Sequence, residues 1–307
     1  MTNEKRNKLL RIISVMLLPL IFAAVGFYMA FSYDYSYREE RAETVHVTSA
    51  RDLQKIGKSF YNNNYFLEND IVLDSFKTLT KAERPFEGVF DGKGHTITFK
   101  GSVNSAFIGY IGESGAVRNL NIVFDNCSVE TDFVGLIAYE NSGEIADCKV
   151  SGNVTLQQSG VVSLLVALNK GTIRNVVLEN VTVTRATVNG ATVYGGVCAY
   201  NYGNAENIVA FTTKFVNISE TNRESMFYDG ARNYGVGSVC GINMGVLTGL
   251  KEVDETQYLT DDEVELLVHS SSIIETLTLD YAVHELGFNV TSVWSYKNGS
   301  LTLREIV

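Results

Sequence analysis

Asn141-Ser-Gly-Glu-Ile-Ala-Asp-Cys-Lys-Val150 and Asn169-Lys-Gly-Thr-Ile-Arg-Asn-Val-Val-Leu178 state one pattern twice. Looser copies begin at Asn201, as N-Y-G-N-A-E-N-I-V-A, and at Asn243, as N-M-G-V-L-T-G-L. Eight residues before Gly143, Gly171, Gly203 and Gly245 stand Gly135, Ser163, Gly195 and Gly237, all small, and the stretches G-L-I-A, S-L-L-V, G-G-V-C and G-S-V-C that begin there superimpose. A shorter fifth copy runs from Phe107 through G-Y-I-G to Gly115 and on through A-V-R-N-L-N-I. The key glycines are separated by 28, 28, 32 and 42 residues. Periods of about 20–50 residues mark a solenoid or an array, and the content of each unit decides which.

After each glycine the apolar residues fall at alternate or near-alternate places: Val117, Leu120 and Ile122; Ile145, Cys148 and Val150; Ile173, Val176 and Leu178. This is strand patterning with a turn or bulge inside it, which excludes leucine-rich and tetratricopeptide repeats. Strands wound in parallel place each side chain about 4.8 Å from its equivalent in the next coil, so equivalent positions must match in shape. In the Asn-x-Gly step, glycine is expected to supply a positive φ at a corner. Asn141, Asn169, Asn201 and Asn243 are candidates for an amide ladder along the coil, the simpler reading being four separate turn residues.

These residues carry a family resemblance. G-Y-I-G at Gly109–Gly112 and its relaxed copies at Gly135, Gly195 and Gly237 resemble the GLUG repeat of bacterial surface proteins. Phe86-Glu-Gly-Val-Phe-Asp-Gly-Lys-Gly-His-Thr-Ile97 is similar to the opening coils of those domains, and Gly287-Phe288 to Val293-Trp294 to their closing segment. Ser163 departs from the pattern, and only the first copy keeps the terminal glycine. The resemblance implies an extracellular right-handed parallel β-helix over roughly residues 45–300, found in adhesins, with no shared enzymatic activity.

Working outward, residues 1–11 carry Lys5, Arg6, Lys8 and Arg11 against Glu4, and Ile12–Tyr33 contain no charge. At about 1.5 Å per residue such a run covers a hydrocarbon core of about 30 Å. A single transmembrane helix over 12–33 is therefore expected, with a cytoplasmic 1–11 and the bulk of the chain extracellular by the positive-inside rule. A cleaved signal peptide, with Ala30-Phe31-Ser32 as its processing site, is the rival reading. Residues 34–44 read as a juxtamembrane spacer, 45–250 as the β-helix and 251–307 as its C-terminal cap. Ser49 before Leu53 and Ile56 suggests an N-terminal capping helix. Thr260 before Asp261, Asp262 and Glu263 suggests another.

The chain has 307 residues, with hydrophobic residues at 45% and charged residues at 20%, which excludes a disordered or polytopic membrane protein. A net charge of −10 argues against nucleic-acid partners. Four cysteines and four histidines lack zinc-site spacing, and no cofactor motif occurs. Cys198 and Cys240 occupy equivalent places, as stacked thiols or as a disulfide.

The longest interval contains an insertion from about Thr212 to Tyr234. It gathers Arg223, Glu224, Phe227, Tyr228, Asp229, Arg232 and Tyr234, a set of aromatic planes and charges suited to a glycan or protein ligand. A self-packed loop with no ligand is the alternative. Parallel β-helices also carry polysaccharide lyases and glycoside hydrolases, which need two carboxylates about 5–10 Å apart. Asp91, Glu144, Asp147, Glu179 and Glu206 are available, but no recurrent acid pair is legible. The expectation is a surface-displayed binding or adhesion module. A groove lined by Ser, Thr and Asn would favour it, and clustered carboxylates with a basic residue would favour the enzyme.

Overall fold

The computed structural model describes residues 43–54, 61–158, 160–186, 193–211, 213–216, 236–237, 239–253, 257–259, 272–274 and 276–305. The span expected over 12–33, with its flanks, lies outside them. Among the described residues no helix is long and apolar enough to cross a membrane.

The repeats wind into an all-β parallel solenoid of about five turns. Each full coil contributes two short strands and one long one. The long strands Ala116–Val129, Glu144–Leu156 and Thr172–Arg185 stack in parallel, flanked by Val89–Asp91 on one side and Asn204–Phe211 and Val246–Val253 on the other. A second sheet stacks Phe133–Gly135, Val161–Ser163, Val193–Gly195 and Val236–Gly237. A third stacks Gly109–Ile111, Ala138–Asn141, Val166–Asn169, Cys198–Asn201 and Cys240–Asn243. Two residues always separate the second-sheet strand from the third, and two separate Asn141, Asn169 and Asn201 from the next long strand. The remaining corner varies: four residues lie between Leu156 and Val161, and seven between Arg185 and Val193.

Alternation fills the interior. Val117, Ile145, Ile173 and Ala205 are register partners, as are Leu120, Cys148, Val176 and Ile208, and each is 0% exposed. The alternation is broken four residues after each key glycine by Asn119, Asp147, Asn175 and Asn207 at φ 52–54° and by Gly249 at φ 63°. Asparagine, aspartate and glycine adopt this left-handed conformation most easily. Their side chains bond between coils, Asn119 to Asp91 at 3.0 Å, Asn175 to Asp147 at 3.2 Å and Asn207 to Asn175 at 3.3 Å. A second break, at Asn126, Gly152 and Asn180, again with positive φ, bends each long strand in its middle.

The Asn-x-Gly corner forms a continuous ladder. Asn141 Nδ2 donates to Asn169 Oδ1 at 2.8 Å, Asn169 to Asn201 at 2.7 Å and Asn201 to Asn243 at 2.8 Å. Each of the three donors also reaches a backbone carbonyl, of Thr172, Asn204 or Val246. Ile111 precedes Asn141 in register, so the Asn141 oxygen has no side-chain amide before it. The glycines serve a purpose other than the expected one. None of Gly143, Gly171, Gly203 and Gly245 has a positive φ. Instead a Cβ on each would lie 2.1 Å from the carbonyl oxygen of the preceding key glycine, so close approach of backbone excludes any side chain. Burying one aliphatic side chain contributes about 1.5–3 kcal/mol, against about 0.5–1.5 kcal/mol net for a hydrogen bond. The apolar rows thus drive folding, and the ladder fixes which residue sits over which.

At the N-terminal end, Ala50–Leu53 forms a four-residue helix that buries Leu53. Ser49 precedes it without a side-chain bond to the backbone, its hydroxyl donating to Asp52 instead. Residues 276–305 lie along the outer face of the long-strand sheet as a strap, a π-helical turn Tyr281–Glu285 followed by an antiparallel hairpin of Trp294–Lys297 and Ser300–Leu303. Leu277, Leu286, Phe288, Trp294 and Leu301 pack there against Val177, Val209 and Phe211, forming a second core. Trp294 Nε1 donates to Asp147 Oδ1 at 3.0 Å, and Lys149 Nζ to the Leu301 carbonyl at 3.0 Å. Val246–Val253 still belongs to the stack, and the helix start at Thr260 lies outside the described residues.

Candidate functional site

The bend at Gly152 and Asn180 makes the long-strand sheet concave, and the hollow it leaves is an open groove of about 600 Å³. Alternation decides its lining, because residues flanking the bend with side chains away from the core must face the hollow. On one side stand Lys149, Ser151 and Glu179; on the other Asn153, Thr182 and Lys214, which are register partners in successive coils; Asn180 lies at the bend.

Among the described residues one carboxylate lines this groove, and it is already engaged. Glu179 pairs with Lys149 at 2.5 Å and accepts from Ser300 Oγ at 2.5 Å. Lys149 spends a further proton on the Leu301 carbonyl, so the strap forms one wall and fixes both charged groups. Asn153 Nδ2 donates to Asn126 Oδ1 at 3.3 Å. The side chains of Ser151, Asn180, Thr182 and Lys214 make no hydrogen bond or ion pair among the described residues. What remains available is two hydroxyls, an amide and an ammonium.

Other candidate carboxylates are tied outside the groove. Asp91 pairs with Arg118 at 3.0 Å, while Glu144 and Asp147 flank Arg174 at 2.7 and 3.9 Å. Glu206 is a register neighbour of Arg174. His46 and His95 face Glu68 and Asp70, and His284 faces Asp280. No serine or cysteine bonds to these histidines among the described residues. Nor does any group of three or more His, Cys, Asp and Glu there have metal-binding geometry.

Arg223, Glu224, Phe227, Tyr228, Asp229, Arg232 and Tyr234 lie outside the described residues. Of the stretch expected to be an insertion, Lys214–Val216 is a strand pairing with Thr182–Thr184 and Gln257–Leu259, and Lys214 borders the groove. Sequence reasoning singled out neither Lys149 nor Lys214. Their signal was present in part: both are polar, outward-facing places, Lys149 three residues before Gly152 and Lys214 in register with Thr182, two after Asn180. Cys198 and Cys240 are register partners with free thiols, and the Cys198 thiol is pushed up by its hydrogen bond with Cys240 and by burial.

No protein-family model matches the chain, and no curated protein matches it. Among solved structures it is similar to a chain from Bacteroides ovatus provisionally named an immunoglobulin A1 protease, at 16% identity and a TM-score of 0.52, covering 87% of this chain and 93% of that one. A likeness at that identity speaks to the fold.

Proposed function

We propose that this chain is a binding module displayed at the cell surface, held in the membrane through residues 12–33, whose solenoid groove takes a glycan. The observation carrying this reading is the groove's free lining of hydroxyl, amide and ammonium groups, with its one carboxylate neutralised by Lys149. Sugars are recognised by such polar groups spaced along a surface, and the stack repeats them about every 4.8 Å. The GLUG-like repeat supports surface display, since the proteins it resembles are extracellular. Glycosidase chemistry would need a second carboxylate about 5–10 Å from the first. Among the described residues the groove supplies none. The name given to the Bacteroides ovatus neighbour supports no proteolytic step here, because no nucleophile stands beside a described histidine.

Full-length protein in detergent micelles, applied to a glycan array and separately incubated with a panel of polysaccharides, tests the reading. Retention of at least one glycan without chain shortening is expected. Release of reducing ends would establish the enzyme instead, and absence of any retention would remove the glycan. Fractionation of producing cells tests the anchor, which fails if the intact chain is recovered without membranes.

A further inference from the structure

Resting on that reading of the groove, we infer that its ligand is an acidic polysaccharide whose carboxylate or sulfate is held by Lys214. Of the two ammonium groups present, Lys149 is neutralised by Glu179 and donates to the Leu301 carbonyl. Lys214 has no ion-pair partner among the described residues. Among the described residues the groove therefore carries one uncompensated positive charge, on a chain whose net charge is −10. The one acid lining the groove among the described residues, Glu179, is paired to Lys149, so no described carboxylate there competes for Lys214. Thr182 is the register partner of Lys214, and Asn153 that of Thr182, which puts a hydroxyl and an amide on successive coils beside the cation. A chain of sugars laid along the coil axis would meet its anion at Lys214 and its hydroxyls at Thr182 and Ser151.

A peptide fits this place less well. Peptides commonly bind by adding a strand to a free sheet edge, whereas the strands under the groove are paired on both sides. The groove also offers no apolar pocket for side chains. A protein partner would find its exposed apolar surface elsewhere, where Tyr202, Met244 and Val246 are half exposed at the opposite corner.

The test uses full-length protein in micelles against polygalacturonate, neutral dextran and poly-glutamate, measured by calorimetry at low and high ionic strength. Polygalacturonate is expected to bind at least about tenfold more tightly than dextran and to weaken with salt, as expected for hydrogen bonds to a charged group. Lys214→Gln should lose about tenfold for polygalacturonate, Lys214→Arg should retain most of the affinity, and Thr182→Val should weaken both polysaccharides together. Circular dichroism confirms that each variant is folded. Equal binding of dextran and polygalacturonate, or no loss in Lys214→Gln, overturns the acidic ligand and leaves the glycan reading standing. Tighter binding of poly-glutamate than of polygalacturonate overturns the polysaccharide. Binding of none of the three, with an unreactive glycan array, removes the glycan reading itself.

Discussion

Asn169 donates its side-chain amide to the side-chain oxygen of Asn201 over 2.7 Å, with both residues at 0% exposure. The same Asn169 accepts from Asn141 at 2.8 Å. Replacing it by alanine leaves a donor on Asn141 and an acceptor on Asn201 buried and short of a partner. An orphaned buried polar group costs about 1–3 kcal/mol, so Asn169→Ala should lose about 2–4 kcal/mol in denaturant unfolding. Asn243→Ala takes one acceptor from the Asn201 amide, which keeps the Val246 carbonyl, and should lose less. Equal losses would mean that the amides act separately.

Gly171 presents a different constraint. A Cβ there would lie 2.1 Å from the Gly143 carbonyl oxygen, which is backbone and cannot swing aside. Gly171→Ala should cost about 3 kcal/mol or more, or abolish soluble expression. Gly101→Ala is the control. Its φ of +72° is strained for alanine, but the space around it is open, so a cost of about 1–2 kcal/mol is expected.

Trp294 is the chain's single tryptophan, and it is wholly buried where the strap meets the long-strand sheet. Its fluorescence therefore reports the strap, while far-ultraviolet circular dichroism reports the coils. Trp294→Phe keeps an aromatic ring and removes the bond to the Asp147 carboxylate, at a cost of about 1.5–3 kcal/mol. For Trp294→Ala about 3–5 kcal/mol is expected. In the unaltered protein the two signals should change together with urea. A fluorescence transition at distinctly lower urea would show that the strap leaves before the coils unwind.

Alkaline pH should weaken the fold. Burial pushes the Cys148 thiol up to about 12 and the Cys127 thiol up to about 11, from an ordinary value of 9.0. Burial also pushes the Tyr65 hydroxyl up to about 12 from 10.0. Above pH 9 the unfolded chain releases protons that the folded one still holds, so stability falls with rising pH. These groups contribute in full below pH 9, and their contribution declines from there through pH 11–12. Urea midpoints measured from pH 7 to 10.5 should be level at first and then fall, and Cys148→Ala should flatten the fall. In the folded protein at pH 8 a thiol reagent should reach the partly buried Cys240 before the other three cysteines, which are fully buried.

Much of the coil was legible because stacking forces like residues to recur. The alternation of Val117, Leu120 and Ile122 with its copies marked the interior, and the four asparagines marked one corner. The column Asn119, Asp147, Asn175, Asn207 and Gly249 was equally open to reading, since each lies four places after a key glycine. It passed unread because Asp and Gly interrupt its identity while keeping its conformation. The strap was harder to foresee. Its imprint is the unbroken run Val176-Val177-Leu178, apolar where alternation calls for an outward polar residue, as befits a strand covered on both faces. Lys214 escaped notice because its importance comes from the pairing of Lys149 with Glu179, residues far from it in sequence.

From Phe133 onward two of the three corners in each coil have a constant length, and only the one after the long strand changes, from three residues before Phe133 to four before Val161 and seven before Val193. Evolution, or an engineer, thus has a single hinge point at which new chain can be spliced without disturbing the stack. Foreign segments inserted there would emerge on one flank, one above another, in an order set by their position in the gene. The protein is in that respect a rack with numbered slots, and the 28-residue unit is the smallest length of rail that can be added to it.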